Sequence, residues 1–255
     1  MDYEHIRVAA DGPTARITLA RAERRNALSL EMMREIVAAL GALPTDAAVV
    51  VIAAEGPVFS AGHDLGEMIG RDTAFFQQLF DVCTELMETI HRVPMPVIAK
   101  VDGMATAAGC QLVAACDLAV ASDDARFATS GINFGLFCAT PGVPVSRNIA
   151  QKRAFEMLFT GEFIDAATAR AWGLVNRVVP AAELDAATQA LAAAILAKPR
   201  DVVAAGKAFF YRQLEAPLAQ AYAQASDLIT ANMLGESAQE GVGAFVAKRP
   251  PNWKE

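Results

Sequence analysis

Two stretches decide how this chain folds: VFSAGHDL at Val58–Leu65 and AKVDGMATAAGCQLVAACDLAVAS at Ala99–Ser122. A run of strand length introduces each of them, VVVIAA at Val49–Ala54 and PVIAKV at Pro96–Val101. The first, continuously apolar, is typical of a strand covered on both faces. Each run then passes through small residues into helical sequence, by Ser60-Ala61-Gly62-His63 in one case and Ala105-Thr106-Ala107-Ala108-Gly109 in the other. Helices are expected from about Ala74 to His91 and over Ala108–Ala115, with LAVA at Leu118–Ala121 as a third short strand. The intervening GPVFSAGHDL and DGMATAAG read as loops. Alternation of strand, loop, helix and strand predicts parallel strands with right-handed crossovers, an α/β fold.

The two helix starts carry the first chemical suggestion. A helix start leaves four backbone N–H groups without intrahelical partners, and small residues let a ligand oxygen approach them. Two such starts on neighbouring parallel strands can converge on one carbonyl oxygen and form an oxyanion hole, each donor worth about 3–4 kcal/mol in a transition state. The plainer alternative is a pair of ordinary tight strand-to-helix turns, and spacing alone does not separate the two.

Working outward, His5–Ala9 and Ala15–Ala20 flank a turn at Asp11-Gly12-Pro13 and predict a hairpin. Ser29 is placed to cap a helix over Leu30–Leu40. After Gly142 the pattern is mostly helical and alanine-rich, with stops at Gly161, Gly173 and Pro199. We place a soft boundary near Val145–Lys152, dividing a core over residues 1–147 from a helical region over 148–255. Helices expected over Asp201–Leu214, Pro217–Leu234 and Ser237–Ala247 carry apolar stripes wide enough to bury against another subunit.

Composition narrows the function classes. A chain of 255 residues can stand on its own core without disulfides or metal. Cys83, Cys110, Cys116 and Cys138 form no CxxC pair, and His5, His63 and His91 show no ligand spacing, so no metal site is expected. A net charge of −7 argues against a nucleic-acid surface. The uncharged stretch Phe127–Ser146 holds Gly131, Gly135, Pro141, Gly142 and Pro144, too many breakers for a lipid-exposed helix, and reads as buried and irregular. No secretory signal opens these residues. A cytoplasmic location is expected, or the mitochondrial matrix if a targeting segment has been removed.

The residue identities go further than spacing. VFSAGHDL and AKVDGMATAAGCQLVAACDLAVAS, with RAERRNALS at Arg21–Ser29, FATSGINFGLFCATPG at Phe127–Gly142, EMLFTGEFIDAATARAWGLVNRVVP at Glu156–Pro180 and EGVGAFVAKRPPNW at Glu240–Trp253, resemble the crotonase (enoyl-CoA hydratase/isomerase) family. The AGHDL, AAGCQL and GLFCxTPG blocks look most like its enoyl-CoA hydratase domain-containing protein 3 group. The resemblance implies a spiral of ββα units followed by helices that build a homotrimer or a dimer of trimers. It implies an acyl thioester of coenzyme A as substrate or ligand, with no other cofactor. The oxyanion donors would be the backbone N–H groups of His63 and Ala108. Coenzyme A would lie along Arg24, Arg25 and Ala61, with Asp64, Leu65 and Gly66 flanking the thioester pocket. Phe245 and Lys248 match positions that hold the nucleotide end, although Lys248 also reads as a solvated helix residue.

The resemblance breaks at the positions that carry the chemistry. Family hydratases use two glutamates, and here those positions hold Gln111 and Gly131. Gln111 can orient a water but cannot take its proton, and Gly131 has no side chain. General acid–base groups contribute on the order of 100- to 10,000-fold each, so little hydratase activity is expected. An isomerase would need the second glutamate as well, and the aspartate of dienoyl isomerases falls at Ala139. Restoring carboxylates at Gln111 and Gly131 together is expected to give hydratase activity if the backbone hole is intact. The imidazole of His63 invites a reading as general base, but the family uses the amide at this position. Asp117 reads as a cap or brace for the strand that follows. Cys110 and Cys138 lack a neighbouring histidine, and Ser130 and Ser146 lack a GxSxG context. Two classes of function stay open: an enzyme using the oxyanion hole for decarboxylation, thioester hydrolysis or a modified lyase reaction, and a non-catalytic acyl-CoA binder or scaffold.

Overall fold

A computed structural model of the chain describes residues 3–253. The chain opens with a hairpin, β1 (Ile6–Asp11) and β2 (Thr14–Leu19), whose register pairs Asp11 with Thr14 across Gly12-Pro13. Helix α1 (Leu30–Gly41) starts where Ser29 accepts a hydrogen bond from the Met32 N–H. A repeated unit follows. Strand β3 (Val49–Ala54) leads to a short β4 (Val58–Ser60), then α2 (Leu65–Met68) and the long α3 (Thr73–Arg92). Strand β5 (Val97–Val101) leads to β6 (Met104–Thr106) and α4 (Ala108–Ala115). Strand β7 (Leu118–Ser122) leads to β8 (Arg126–Ala128), a 3₁₀ turn over Ser130–Phe134, and α5 (Ala139–Asn148). Then come α6 (Gln151–Thr160), β9 (Ile164–Asp165), α7 (Ala166–Trp172), β10 (Arg177–Val179), α8 (Leu184–Leu196), α9 (Arg200–Leu214), α10 (Leu218–Leu234) and α11 (Glu236–Val246).

The first strand of each unit enters one six-stranded sheet, ordered β1-β2-β3-β5-β7-β10, and the second enters a four-stranded sheet, ordered β4-β6-β8-β9. The chain thus climbs as a spiral, alternating between the sheets. Only β1 and β9 run antiparallel to their neighbours. GPVFSAGHDL and DGMATAAG are therefore not plain loops, because each contains a three-residue strand. Such strands are too short for periodicity to register. Phe59 in β4 is nonetheless fully buried, so the second sheet has its own apolar anchors.

The continuous apolar runs are explained by burial on both faces. Val49, Ile98 and Val120 face outward onto Leu184 and Ala192 of α8, while Val50, Ile52, Val97 and Ala99 turn into the main core. The region after residue 148 is mostly helical, yet it supplies β9 and β10 to the two sheets. Phe127–Ser146 differs from expectation: its first residues are a buried strand, but Phe134, Leu136, Phe137 and Val143 are exposed, and it ends in a helix with Pro144 inside.

Asp117 braces the joint between α4 and β7. Its Oδ2 accepts from the Val97 N–H at 2.6 Å and the Lys207 ammonium at 2.7 Å, and its Oδ1 accepts from the Tyr211 hydroxyl at 2.6 Å. Lys207 also donates to the carbonyls of Ile90 and Met95. Burial pulls the Lys207 pKa down, and the Asp117 charge opposes that. The residues after α11 fold back as a strap. Arg249 pairs with Glu240, and Trp253 donates its indole N–H to the Ala197 carbonyl. No helix among the described residues is long and apolar enough to cross a membrane.

Candidate functional site

The site is built where the first two units leave the smaller sheet. At the first exit, the Leu28 N–H donates to the Gly62 carbonyl at 2.7 Å, and the Leu28 carbonyl accepts from Asp64 N–H at 3.4 Å. This parallel bridge uses the groups on either side of His63, so the His63 N–H is turned away from Leu28. At the second exit, Ala107 adopts φ 49°, ψ −118°, a conformation rare for a residue with a side chain. Such backbone strain costs about 1–3 kcal/mol and persists only where its surroundings impose it. Here the Ala107 N–H is held by the Ala128 carbonyl at 2.9 Å. Ala108 then opens α4. Neither the His63 nor the Ala108 N–H donates to a protein acceptor among the described residues.

Gly62 sets the spacing between the two exits. It lies at φ +90°, and a Cβ there would stand 2.9 Å from the Ala107 Cβ and 3.2 Å from the Ala108 nitrogen. Gly109 permits an equally close approach, since a Cβ would collide with the backbone carbonyl of Ser60. His63 and Ala108 both line a cavity of about 250 Å³. Its other walls come from Ala61 and Leu65, from Met68 of α2 and Phe80 of α3, and from the segment between Ser130 and Pro141. No charged side chain lines it among the described residues.

The side chains expected to carry chemistry stand elsewhere or are closed off. Gln111 is buried in α4 with its Oε1 3.7 Å from the Cys83 Sγ, and it does not line the cavity. The water-orienting role expected of it therefore gains no support, because its amide faces α3. Gly131 does line the cavity, but its N–H donates to the Cys138 Sγ at 3.3 Å and its carbonyl accepts from the Leu136 N–H at 3.0 Å. A Cβ at Gly131 would lie 2.6 Å from the Leu136 oxygen and 2.7 Å from the Cys138 sulfur. The space through which a longer side chain would leave this position is filled by the loop itself. Simple restoration of two carboxylates is thus blocked at the second of them.

The His63 ring is partly buried against Phe80, edge to face at 5.6 Å. Its Nδ1 lies 3.4 Å from the Leu28 carbonyl and its buried Nε2 has no partner. Burial lowers its pKa, so the ring is neutral at physiological pH. Cys138 forms part of the wall, and burial raises its pKa, which keeps it a thiol. Burial pushes the Cys110 thiol up to about 12.

Of the residues expected along the thioester pocket, Ala61 and Leu65 line the cavity. Asp64 does not: it caps α2 by accepting from the Gly66 N–H at 3.1 Å and pairs with Arg21 at 3.8 Å. Gly66 is exposed beside it. Arg24 and Arg25 are exposed next to the first exit, where the Arg25 carbonyl accepts from the Ala61 N–H at 3.0 Å. Phe245 is 84% exposed near the end of α11. Lys248 lies just past that helix in a left-handed turn rather than on it. Neither of these two lines the cavity.

Sequence reasoning overlooked Asn26. It is fully buried, donates from its amide to the carbonyls of Glu55 and Val58, and accepts from the Arg21 N–H. It locks the RAERRNALS turn against the start of β4. A buried asparagine inside an otherwise polar run carries no periodic signal, and its left-handed φ of 48° was the only property a reader could have anticipated.

The enoyl-CoA hydratase/isomerase family model matches residues 11–255. The chain belongs to the enoyl-CoA hydratase/isomerase, or crotonase, family. It is 48% identical over 242 residues to the mouse mitochondrial enoyl-CoA hydratase domain-containing protein 3, covering 93% of this chain and 80% of the relative. The human protein of that name is also 48% identical, covering 93% and 79%. Among solved structures, an enoyl-CoA hydratase from Mycobacterium smegmatis is 51% identical with a TM-score of 0.96, covering 98% of this chain and 99% of that one. The human enoyl-CoA hydratase domain-containing protein 3 is 44% identical with a TM-score of 0.95, covering 98% and 100%. The spiral with its C-terminal helices is the crotonase fold, and the sequence blocks resembling the domain-containing protein 3 group point to the same relatives.

Proposed function

We propose that this protein binds acyl thioesters of coenzyme A and polarises the thioester carbonyl through the backbone N–H groups of His63 and Ala108. The observation that carries this reading is the pair of unsatisfied donors, brought together by Gly62 over an apolar cavity. Two fixed donors stabilise negative charge on oxygen, either in an enolate or in a tetrahedral intermediate. On this reading Arg24 and Arg25, exposed beside the first exit, would meet the phosphates of coenzyme A, and Phe245 with Lys248 its nucleotide end, as the family resemblance implies. Hydration by paired glutamates is not among the activities we assign, because the side chain of Gln111 faces α3 and Gly131 is walled by Leu136 and Cys138.

That closed wall also supports a second reading, in which the protein binds acyl-CoA without turning it over. The decisive experiment measures binding and turnover of crotonyl-, malonyl- and methylmalonyl-CoA, and binding of a thioether analogue lacking the carbonyl oxygen. Thioesters should bind more tightly than the thioether, with crotonyl-CoA hydration at the background rate. Equal binding of thioester and thioether would overturn the oxyanion assignment; turnover of any substrate would decide against the pure binder. Exposed apolar residues on α9 and α10, including Phe210, Leu218, Tyr222 and Leu234, support assembly into a homotrimer or dimer of trimers, which sedimentation would measure. Four buried free cysteines suit a reducing compartment, the cytoplasm or, as the names of the vertebrate relatives state for them, the mitochondrion.

A further inference from the structure

We infer that the acyl group is long and uncharged, and that its distal end leaves the cavity past Phe137 to lie along an aromatic ribbon formed by Phe137, Phe159 and Phe155. This rests on the acyl-CoA reading of the cavity. The first support is chemical. The walls offer Leu65, Met68, Phe80, Phe134 and Pro141 but no cation, and His63 is neutral there. A carboxylate-ended chain would lose its hydration and find no partner. The substrate classes that carry a second carboxylate, malonyl and methylmalonyl thioesters, are thereby disfavoured.

The second support is geometric. Phe137 belongs both to the cavity wall and to the ribbon: its ring lies 5.1 Å from that of Phe159, tilted by 53°. Phe159 in turn stacks on Phe155 at 3.9 Å with 10° between planes. These two are one turn apart on α6 and share a face. Phe155 is 57% exposed and Phe159 49%. Stacked aromatic rings left in water next to the mouth of an apolar cavity form a track on which methylene groups are removed from water as the chain lengthens. Of the two cations on α6, Arg153 is directed away, over the Trp172 ring and onto the Ala171 carbonyl, while Lys152 is exposed to solvent one turn before Phe155, outside the cavity wall.

The test is a chain-length series, from butyryl- through octanoyl- to dodecanoyl-CoA, titrated against the intact protein and the double variant Phe155→Ala/Phe159→Ala. The wild type should gain about 10-fold or more in affinity from butyryl to dodecanoyl, a gain the variant largely loses while butyryl-CoA binding is unchanged. Dodecanedioyl-CoA, which carries a terminal carboxylate, should bind more weakly than dodecanoyl-CoA. A flat series in the wild type, an equal loss for butyryl-CoA in the variant, or tight binding of the diacid would each overturn the inference. A change of oligomer mass in the variant would also overturn it, by showing that the ribbon is a subunit contact. If no acyl-CoA binds at all, the proposed function itself falls; butyryl-CoA binding with a flat series removes only the long-chain inference.

Discussion

The three ββα units of the spiral begin alike and end differently. The first two leave the smaller sheet through Gly62-His63 and Ala107-Ala108, and each finishes with a backbone N–H that no acceptor among the described residues uses. The third leaves through Ser130-Gly131, where both backbone groups are consumed, the N–H by Cys138 and the carbonyl by Leu136. On the acyl-CoA reading proposed above, the first two exits would hold an oxygen, whereas the third closes a wall. On that reading the groups for gripping a carbonyl are separable from the groups for acting on its neighbouring carbons, because they lie on different turns of the spiral. Loss of the second set leaves the first geometrically intact.

The contrast can be broken most severely at the joint between the second and third units. Lys207→Met leaves the largely buried Asp117 carboxylate without its cation, a change that costs about 3 kcal/mol. Chemical denaturation should show that loss, and a drop below about 1 kcal/mol would mean that Tyr211 and Val97 suffice to hold the charge. A more pointed test is Gln111→Glu combined with Gly131→Glu. Forcing a side chain against Leu136 and Cys138 should cost about 1–3 kcal/mol and give no hydration of crotonyl-CoA above background. Measurable hydration by a folded double variant would show that the third exit opens readily.

Smaller effects sharpen the same contrast at the first exit. Asp64→Ala removes the cap of α2 and the Arg21 pairing, and should cost about 1 kcal/mol with acyl-CoA binding retained. Loss of binding would mean that the carboxylate contacts the ligand. His63→Gln keeps the backbone N–H and should leave thioester binding unchanged, altering only how stability depends on pH. Burial holds the His63 ring neutral in the fold, whereas the unfolded imidazole takes up a proton below about pH 6.5. Stability is therefore full above that value and declines as pH falls through the window down to the lowered folded pKa. Melting temperatures across this range should decline less steeply for the variant. A slope from His91 will remain, since burial lowers its pKa as well. Weakened thioester binding in His63→Gln would assign the work to the ring rather than the amide.

Much of this architecture was legible in the residues. The parallel strand at Val49–Ala54 announced itself by an unbroken apolar run and that at Val97–Val101 by an apolar run interrupted only by Lys100, and Ser29 marked its helix by chemistry local to one turn. The second sheet was hidden because Val58–Ser60 and Met104–Thr106 are each three residues long and wrapped in glycine and alanine. At the site, the absence of carboxylates at Gln111 and Gly131 could be read directly. What surrounds those residues could not. Gln111 meets Cys83 across 28 positions, and the space beside Gly131 is filled by a loop whose path depends on where Leu136 and Cys138 come to rest. Such encounters are set by tertiary packing, for which a linear pattern has no period to offer.

The ammonium of Lys207 has a consequence for how the molecule is made. It reaches Asp117 across 90 positions and the Ile90 carbonyl across 117, so two separate segments of the spiral wait for one side chain near the end of synthesis. Until α9 has left the ribosome, Asp117 lacks its counter-charge. A nascent chain stalled before Arg200 should therefore be held by chaperones or cut by proteases, and it should become resistant soon after Tyr211 emerges.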